Sequence, residues 1–309
     1  MKYKHLFGPV PSRRLGLSLG VDLVPYKTCT LNCVYCECGE TTNLTTARIE
    51  YVPARSVIAE LDDYLSTAPS LDYVTFSGSG EPTLNSALGS IADFIKNSYP
   101  RYRTCLLTNG TLFTDAAVRR AVSRIDMIVP SLDAAGEDAF KQINRPHKSI
   151  SCAAVIDGLA ALRSDYRGEI VLEIFIVPGI NNQPAELALL KEATGRIKPD
   201  RIQIGTLDRP GTEDWVEAAG EKTMQKIACF LGEAELIGDF RPRRADTALH
   251  KAQSDQIIRT LQRRPCTIKD LQQALNLRPV EIQKQVNLLR KQGKIEAEKK
   301  SRGIFFRAK

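Results

Sequence analysis

Four cysteines stand close together near the start of the chain. Cys29, Cys33, Cys36 and Cys38 lie within ten residues, and they are half of the eight cysteines in the sequence. A disulfide framework, a zinc site, an iron–sulfur site and chance are the alternatives. Structural zinc usually takes its four ligands from two separated pairs, and the sequence has no second compact group of cysteines. The C-x3-C-x2-C spacing of the first three suits a cluster that thiolates hold at three corners.

The expected role of the isolated cysteines and the expected cellular compartment bear on the choice among these kinds of site. We expect the isolated cysteines to be small core residues: Cys105, Cys152, Cys229 and Cys266. The first 14 residues lack the apolar segment of a signal peptide, and no apolar run approaches the ~18 residues of a membrane span. We therefore expect a soluble cytoplasmic enzyme with no membrane partner. Thiols stay reduced in that compartment, which favours metal binding over disulfides.

The elements that must position these thiols follow from the apolar pattern of the first 235 residues. Six near-continuous apolar runs alternate with amphipathic helical stretches, which predicts a parallel sheet covered on both faces. The predicted strands are LSLGVDLV, YVTFSG, RTCLLTNG, MIVPSLD, IVLEIFIV and RIQIGTL. Six strands are too few for a closed eight-stranded barrel, so the pattern leaves a partial barrel or an open doubly wound sheet.

A polar loop follows every predicted strand. The cysteine loop comes after the first strand, and the other five loops are SGSGEPTL, TNGTL, SLDA, PGINN and LDRPGT. In both architectures, active sites form beyond the carboxyl ends of parallel strands. Six polar loops at one edge of the sheet therefore predict a candidate site.

Charge distinguishes the last fifth of the chain from the rest. Residues 251–309 contain 15 Lys and Arg against 5 Asp and Glu, a net charge of +10. Because the whole chain is +7, residues 1–250 carry a net −3. This asymmetry suggests an appended module with an anionic partner, and a solvated basic face is the alternative.

The basic segment has the pattern of three helices followed by a hairpin, which predicts a winged helix–turn–helix. We expect residues 1–240 to form the sheet domain, 241–253 a linker and 254–309 the winged helix. In a nucleic-acid-binding protein the third helix enters the major groove and the hairpin contacts the backbone. The candidate contacts to RNA or DNA are Lys284, Arg290, Lys299 and Lys300. Protein or peptide docking and a purely structural role are the alternatives.

Two motifs carry a resemblance to a known superfamily. CTLNCVYC, with Tyr35 just before the third cysteine, resembles the defining loop of the radical S-adenosylmethionine (SAM) superfamily. GSGEP at 78–82 resembles its Gly-Gly-Glu segment, with Ser79 in place of the first glycine. The resemblance covers about residues 15–210 and implies an α/β fold, a partial (β/α)6 barrel. The segment from FGPVPSRR to CECG is similar to bacterial Fe–S oxidoreductases related to the wyosine-tRNA synthetase group.

The resemblance also implies cofactors and a mechanism. Cys29, Cys33 and Cys36 would hold a [4Fe–4S] cluster, and SAM would chelate the fourth iron. One electron from a flavodoxin- or ferredoxin-type donor of low potential would cleave SAM to methionine and a 5′-deoxyadenosyl radical. This radical would abstract hydrogen from the substrate, and the protein would supply orientation and exclude side reactions.

Further residues are expected to bind SAM. Gly80 and Glu81 would hold the methionine ammonium group, because a glycine exposes backbone acceptors and a carboxylate accepts from N⁺–H. Tyr35 would lie near the adenine, unless it packs under the loop. The residues expected to reach the ribose hydroxyls or the SAM carboxylate are Asn109, Ser131 and Asp133. As ordinary turn residues, these three would produce the same sequence pattern.

The sequence says less about the role of Cys38 and about the identity of the substrate. A fourth thiolate on the same cluster would close the iron that SAM needs, and an auxiliary cluster would need cysteines that the chain does not group together. Wyosine-synthesising relatives have additional cysteines upstream of the loop, whereas residues 1–28 contain none, which argues against wyosine synthesis. Arg145, His147 and Arg209 are the candidates for contact with an anionic or carbonyl-bearing substrate.

We therefore expect an enzyme that abstracts hydrogen from an unidentified substrate. The basic tail and the resemblance slightly favour RNA, and a peptide or small molecule is the alternative. A different class is a regulator in which the cluster senses redox state or SAM and the winged helix binds DNA. The intact GSGEP motif favours catalysis, because a sensor of redox state needs no SAM site.

Overall fold

The computed structural model of the chain describes residues 3–12, 14–209, 211–237, 247–275, 277, 279–300 and 303–309. In the first part, up to residue 237, strands and helices alternate along the chain. The strands are β1 Leu6–Ser12, β2 Gly16–Val21, β3 Thr28–Cys29, β4 Asn43–Leu44, β5 Tyr73–Phe76, β6 Arg103–Thr108, β7 Met127–Pro130, β8 Glu169–Ile176, β9 Arg201–Thr206 and β10 Glu235–Ile237. The helices are α1 Ala54–Leu65, α2 Leu88–Ser98, α3 Ala116–Ala121, α4 Glu137–Asn144, α5 Cys152–Asp165, α6 Pro184–Ile197 and α7 Glu221–Phe230.

Eight of these strands form one sheet in the order β1-β2-β5-β6-β7-β8-β9-β10. All neighbours pair in parallel except β1 and β2, which are antiparallel. The expected α/β fold with a mostly parallel sheet is confirmed, and each of the six predicted strands is present. Every residue of β5 and β7 is buried: one face of these strands packs on the helices, and the other forms a second apolar cluster with Leu15 and residues of β6 and β8.

The sequence pattern missed two strands at the ends of the sheet. β1 has the sequence LFGPVPS, in which one glycine and two prolines argue against a strand. At the end of a sheet proline is tolerated, because one row of backbone groups needs no partner strand. β10 is only three residues long and too short to show a period.

The last part of the chain, here called the C-terminal unit, comprises the described residues from 247 onward. Its elements are α8 Thr247–Arg263, α9 Ile268–Leu275, α10 Pro279–Lys291, β11 Ile295–Lys300 and β12 Gly303–Ala308. Three helices and a hairpin follow in the predicted order, while their assignment to a winged helix–turn–helix stays a prediction. Thr267 and Asp270 cap α9 reciprocally: Asp270 accepts from the Thr267 backbone N–H at 3.0 Å, and Thr267 accepts from the Asp270 N–H at 3.1 Å.

Two separate hydrophobic clusters underlie the two parts of the chain. The first packs the sheet against its helices, and the second joins α8, α9, α10 and the hairpin through residues such as Ile257, Leu271, Val286 and Phe306. Residues 241–246 of the predicted linker lie outside the described residues. Residues 247–253 belong to α8, because their sequence TALHKAQ consists largely of good helix formers. Among the described helices, none has the length and apolar character to cross a membrane.

Candidate active site

The four clustered cysteines lie on the cluster loop, defined as residues 27–39. The turn after β5 holds one side of this loop: Lys27 N–H donates to the Ser79 carbonyl at 3.0 Å, and Glu81 N–H donates to the Thr28 carbonyl at 3.1 Å. At Gly80, a Cβ atom would stand 1.9 Å from the Thr28 carbonyl oxygen. Only glycine therefore allows this close approach of the two backbones.

The segment after α4 holds the other side of the cluster loop. Asn32 N–H donates to the Asn144 carbonyl at 2.9 Å, and the His147 N–H donates to the Thr30 carbonyl at 2.9 Å. An isolated antiparallel bridge joins Leu31 to Pro146 between these contacts. Backbone contacts of residues 144–147, with the sequence NRPH, thus hold this side of the cluster loop.

Three of the four thiols accept a hydrogen bond from a side-chain nitrogen. Each donor comes from a different segment of the chain, and the sulfur–nitrogen distances lie between 3.2 and 3.5 Å. The three pairs are Lys27 Nζ with Cys36 Sγ at 3.2 Å, Asn144 Nδ2 with Cys33 Sγ at 3.3 Å, and Asn109 Nδ2 with Cys29 Sγ at 3.5 Å. Hydrogen bonds to sulfur are one of the means by which proteins set the reduction potential of an iron–sulfur cluster.

Cys38 differs from the other three cysteines. Its Sγ lies 3.9 Å from the Gly78 carbonyl oxygen, toward which it donates, and its side chain also hydrogen-bonds Cys36. This bond from Cys38 and the nearby Lys27 ammonium lower the pKa of Cys36 to about 5. The bond raises the pKa of Cys38 well above its ordinary value. Burial raises the pKa of Cys29 to about 11.

The arrangement fits a multi-iron cluster better than a single metal ion. In the part of the chain that the structure describes, no three His, Cys, Asp or Glu side chains converge as ligands of one ion. A [4Fe–4S] cluster has no such requirement, since its cysteines bind different irons and stand apart. The thiols at 29, 33 and 36, with their separate N–H donors, therefore suit the larger group.

Glu81 is buried, with 2% of its surface exposed, and it joins the ends of two neighbouring strands, β5 and β6. Its Oε1 accepts from the Thr83 backbone N–H at 3.1 Å and from the hydroxyls of Thr83 and Thr108, both at 2.6 Å. Its Oε2 accepts from the Asn109 backbone N–H at 2.7 Å. Burial raises the pKa of Glu81, and these four hydrogen bonds oppose the shift.

Tyr35 and Asp133 contact each other beneath the cluster loop. The Tyr35 hydroxyl donates to Asp133 Oδ2 at 2.5 Å, and its ring stacks on Phe175 with centroids 3.9 Å apart. Asp133 also accepts from Asn144 Nδ2 at 2.7 Å and from the Phe175 N–H at 2.9 Å. Burial raises the pKa of Asp133 to about 6, although these hydrogen bonds oppose it.

Four of the predicted SAM-binding residues line one small cavity of about 30 Å³. They are Tyr35, Asn109, Ser131 and Asp133. Asn144 also lines this cavity, and its buried Oδ1 has no hydrogen-bond partner among the described residues. Gly80 and Glu81 stand outside the lining, and Glu81 reaches it through its bond to Asn109.

The three substrate candidates do not come together. Arg145 and His147 line a larger open cavity of about 640 Å³ beside the cluster loop. Arg145, with a left-handed backbone at φ +44°, forms an ion pair with Glu213. Arg209 lies elsewhere and donates to Glu37 Oε2 at 3.3 Å.

Helix α10 contacts the outer side of the cluster loop. Lys284 Nζ lies 2.9 Å from Glu37 Oε2, and the Tyr26 hydroxyl donates to Gln283 Oε1 at 3.3 Å. Burial raises the pKa of Glu37, but the ammonium of Lys284 and the guanidinium of Arg209 bring it below its ordinary value. Because Glu37 stands between two of the clustered cysteines, α10 is tied directly to the loop.

The predicted nucleic-acid contacts fall into two groups. Lys284 and Arg290 face carboxylates of the first part of the chain, since Arg290 lies 3.9 Å from Asp214. Lys299 is exposed on β11 of the hairpin. The side chain of Lys300 lies outside the described part, although its backbone pairs with Gly303.

The structure corrects one expectation and adds residues that the sequence analysis did not single out. Cys105, Cys152 and Cys266 are buried as expected, whereas Cys229 is exposed on α7. Cys229 occupies the last turn of that amphipathic helix, where its position points away from the core. The added residues are Lys27, Glu37, Asn144 and Phe175. A cation two residues before the first cysteine was a usable signal for Lys27, whereas Asn144 contacts a cysteine 111 residues away.

Comparison with known proteins identifies the family. The sequence profile of the radical SAM superfamily matches residues 23–190, more than half of the chain. The chain belongs to the radical SAM superfamily. This superfamily uses a [4Fe–4S] cluster and SAM, so the protein is an enzyme with these cofactors.

Individual relatives of this radical SAM enzyme show sequence similarity without identifying its substrate. It is 34% identical over 301 residues to a protein named GTPase Obg from Brachyspira hyodysenteriae, covering 96% of this chain and 44% of that one. The chain thus spans under half the length of this relative. It is 30% identical over 243 residues to a UPF0026 protein from Methanocaldococcus jannaschii, covering 76% and 75% of the two chains.

Among solved structures, a radical SAM methyltransferase from Sphaerobacter thermophilus has a similar fold. The TM-score is 0.55 at 14% identity, over 71% of this chain and 64% of that one. At this identity the likeness shows the fold alone.

Proposed function

We propose that Cys29, Cys33 and Cys36 are the three protein ligands of the cluster and that the enzyme abstracts hydrogen from its substrate. The observation that supports this ligand set is the separate N–H donor on each of these thiols, whereas among the described residues no side-chain nitrogen donates to Cys38. When bound, cluster and SAM supply one-electron cleavage of the sulfonium bond and removal of a hydrogen atom from a C–H bond.

In this proposal the residues around the loop bind and orient SAM. The Gly80 backbone accepts from the methionine ammonium, and Glu81 holds Thr108 and Asn109 in place through its hydrogen bonds. The free lone pairs of Glu81 Oε2 can accept one more donor. Tyr35 would lie near the adenine, and Asn109, Ser131 and Asp133, which line the same small cavity, would reach the ribose hydroxyls or the carboxylate of SAM.

We propose RNA as the substrate class, recruited by residues 254–309 as a winged helix while residues 1–240 form a partial barrel. The net charge of +10 on residues 251–309 and the exposed Lys299 support an anionic partner. The two separate hydrophobic clusters support the division into domains. Arg145 and His147, beside the larger cavity, are the proposed substrate contacts. A peptide or small molecule is the alternative substrate, and membership of the wyosine-related group stays a prediction.

The first experiment tests catalysis. The full chain is reconstituted with iron and sulfide under anaerobic conditions, reduced with dithionite and incubated with SAM. We expect slow release of 5′-deoxyadenosine and methionine without substrate, measured by chromatography, and faster release with the substrate. No deoxyadenosine from fully loaded, reduced enzyme would contradict the enzyme mechanism and favour the cluster-dependent DNA-binding regulator.

The second experiment tests RNA recruitment. Fluorescence anisotropy with tRNA and duplex DNA at two salt concentrations should show binding that weakens steeply with salt, because bound cations displace counterions. Replacing Lys299 and Lys300 together by alanine should weaken this binding. The matched control replaces Lys222 and Lys226, two exposed lysines of α7. Equally poor binding of both polymers at low salt would reject the RNA proposal and favour a peptide or small molecule.

A further inference from the structure

Lys27 is a buried cation at the start of the cluster loop. Only 3% of its surface is exposed, and its backbone has a left-handed φ of +55°. Its N–H donates to the Ser79 carbonyl, and its carbonyl accepts from the N–H groups of Thr42 and Asn43. Hydrogen bonds to its N–H and to its carbonyl thus fix the backbone of Lys27, and with it the direction of the Cα–Cβ bond.

The ammonium group of Lys27 contacts the sulfur of Cys36. Its Nζ lies 3.2 Å from Cys36 Sγ, and within the described residues no Asp or Glu oxygen lies within ion-pair distance of it. Lysines are almost never fully buried unless an anion pairs with them, because transfer of the charge from water is costly. The burial of Lys27 therefore implies a negative partner at the thiols of this loop.

We infer that Lys27 is the counter-ion of the cluster and that its ammonium group favours the one-electron-reduced form. The inference rests on the ligand set proposed above. Oxidised [4Fe–4S] with three thiolates has a net negative charge, and reduction by an external low-potential donor adds one electron and no proton. A fixed cation beside Cys36 stabilises the form with the greater negative charge, and burial strengthens the attraction.

The other two donors provide a comparison within the same site. Asn109 and Asn144 are neutral amides, so they offer Cys29 and Cys33 a dipole and no net charge. Charge-assisted hydrogen bonds are roughly twice as strong as neutral ones. Lys27 should accordingly change the reduction potential more than either asparagine does.

The test is a spectroscopic redox titration of reconstituted full-length protein with Lys27→Met and Lys27→Arg. We expect Lys27→Met to lower the midpoint potential by at least about 59 mV, a tenfold decrease in the equilibrium constant of the one-electron reduction. Lys27→Arg, which keeps the charge, should retain most of the native potential. The matched control is Lys198→Met, since Lys198 shares a φ of +55° and is exposed.

Iron content and thermal unfolding are measured first for every variant. A fully loaded Lys27→Met protein with the native midpoint potential would overturn the inference. If Lys27→Met folds without a cluster, loading of Lys27→Arg supports the counter-ion role, and failure of both overturns it in favour of a steric role. If Lys27→Met does not fold, Lys27→Gln replaces it as the neutral variant. Native iron content in Cys36→Ala would instead refute the proposed ligand set, so the two failures are distinguishable.

Discussion

The inner side of the cluster loop, which faces the strand ends, and its outer side, which faces α10, are held by different kinds of interaction. Toward the strand ends, buried and part-buried hydrogen bonds dominate, such as Asn109 Nδ2 to Thr30 Oγ1 at 2.7 Å. Toward α10, the main contact is the ion pair of Lys284 and Glu37, whose side chains are 37% and 31% exposed. Exposed ion pairs contribute ~0.2–1 kcal/mol and weaken with salt, whereas buried hydrogen bonds are costly to break. We therefore expect the contacts of the inner side to be more costly to break than the ion pair of the outer side.

The largest effect is expected from the thiols on the inner side. Replacing Cys29, Cys33 or Cys36 by alanine should abolish the visible absorbance of the reconstituted cluster, because each is expected to bind a separate iron. Cys38→Ala should retain most of the absorbance and iron, measured by spectroscopy and iron analysis. Loss of the cluster in Cys38→Ala to the same degree would refute the three-ligand assignment.

An intermediate effect is expected from Glu81→Ala. The change leaves the hydroxyl of Thr108 and the backbone N–H groups of Thr83 and Asn109 without their acceptor, and each unsatisfied buried group costs ~1–3 kcal/mol. We expect a lower unfolding temperature and at least a tenfold loss of SAM affinity, with native iron content. Equilibrium dialysis with labelled SAM measures the affinity.

The matched control for that change is Glu50→Ala. Glu50 also accepts from a backbone N–H, that of Ala54 at 2.6 Å, but it is exposed at the start of α1. Its removal should leave SAM affinity unchanged. Native SAM affinity in Glu81→Ala would show that the strand ends need no carboxylate to bind the cofactor.

The smallest effect is expected on the outer side. In a double-mutant cycle of Lys284→Ala and Glu37→Ala, we expect a coupling energy of about 0.2–1 kcal/mol at low salt that falls as salt screens the pair. Hydrogen exchange of residues 34–39 should quicken in Lys284→Ala and stay native in Lys299→Ala, the exposed hairpin control. A coupling that does not change with salt would mean that the outer side is as fixed as the inner one.

The features that the sequence could predict depend on interactions between residues close together in the chain. The strands and the polar loops were predictable, because apolar runs and turn residues act over a few neighbouring positions. The reciprocal cap of Thr267 and Asp270 was predictable for the same reason. Four of the residues expected at one edge, Tyr35, Asn109, Ser131 and Asp133, did meet there, since parallel strands bring their carboxyl ends together.

The contacts that the sequence did not reveal depend on tertiary packing. Asn144 ends α4, and nothing in its neighbourhood indicates that its amide would reach Cys33. Likewise, the basic face of α10 was interpreted as a surface for an external polyanion. In the folded chain, Glu37 and Asp214 supply anions to Lys284 and Arg290 of that face.

The contact between Tyr26 and Gln283 joins residues that are 257 positions apart. At a synthesis rate of ~5–20 residues per second, roughly 13–50 s pass between their emergence from the ribosome. During this interval the inner side of the loop can form, while α10 does not yet exist to cover the outer side. The nascent chain thus has a period in which iron and sulfide can reach the loop from its open face, and this access narrows when α10 docks.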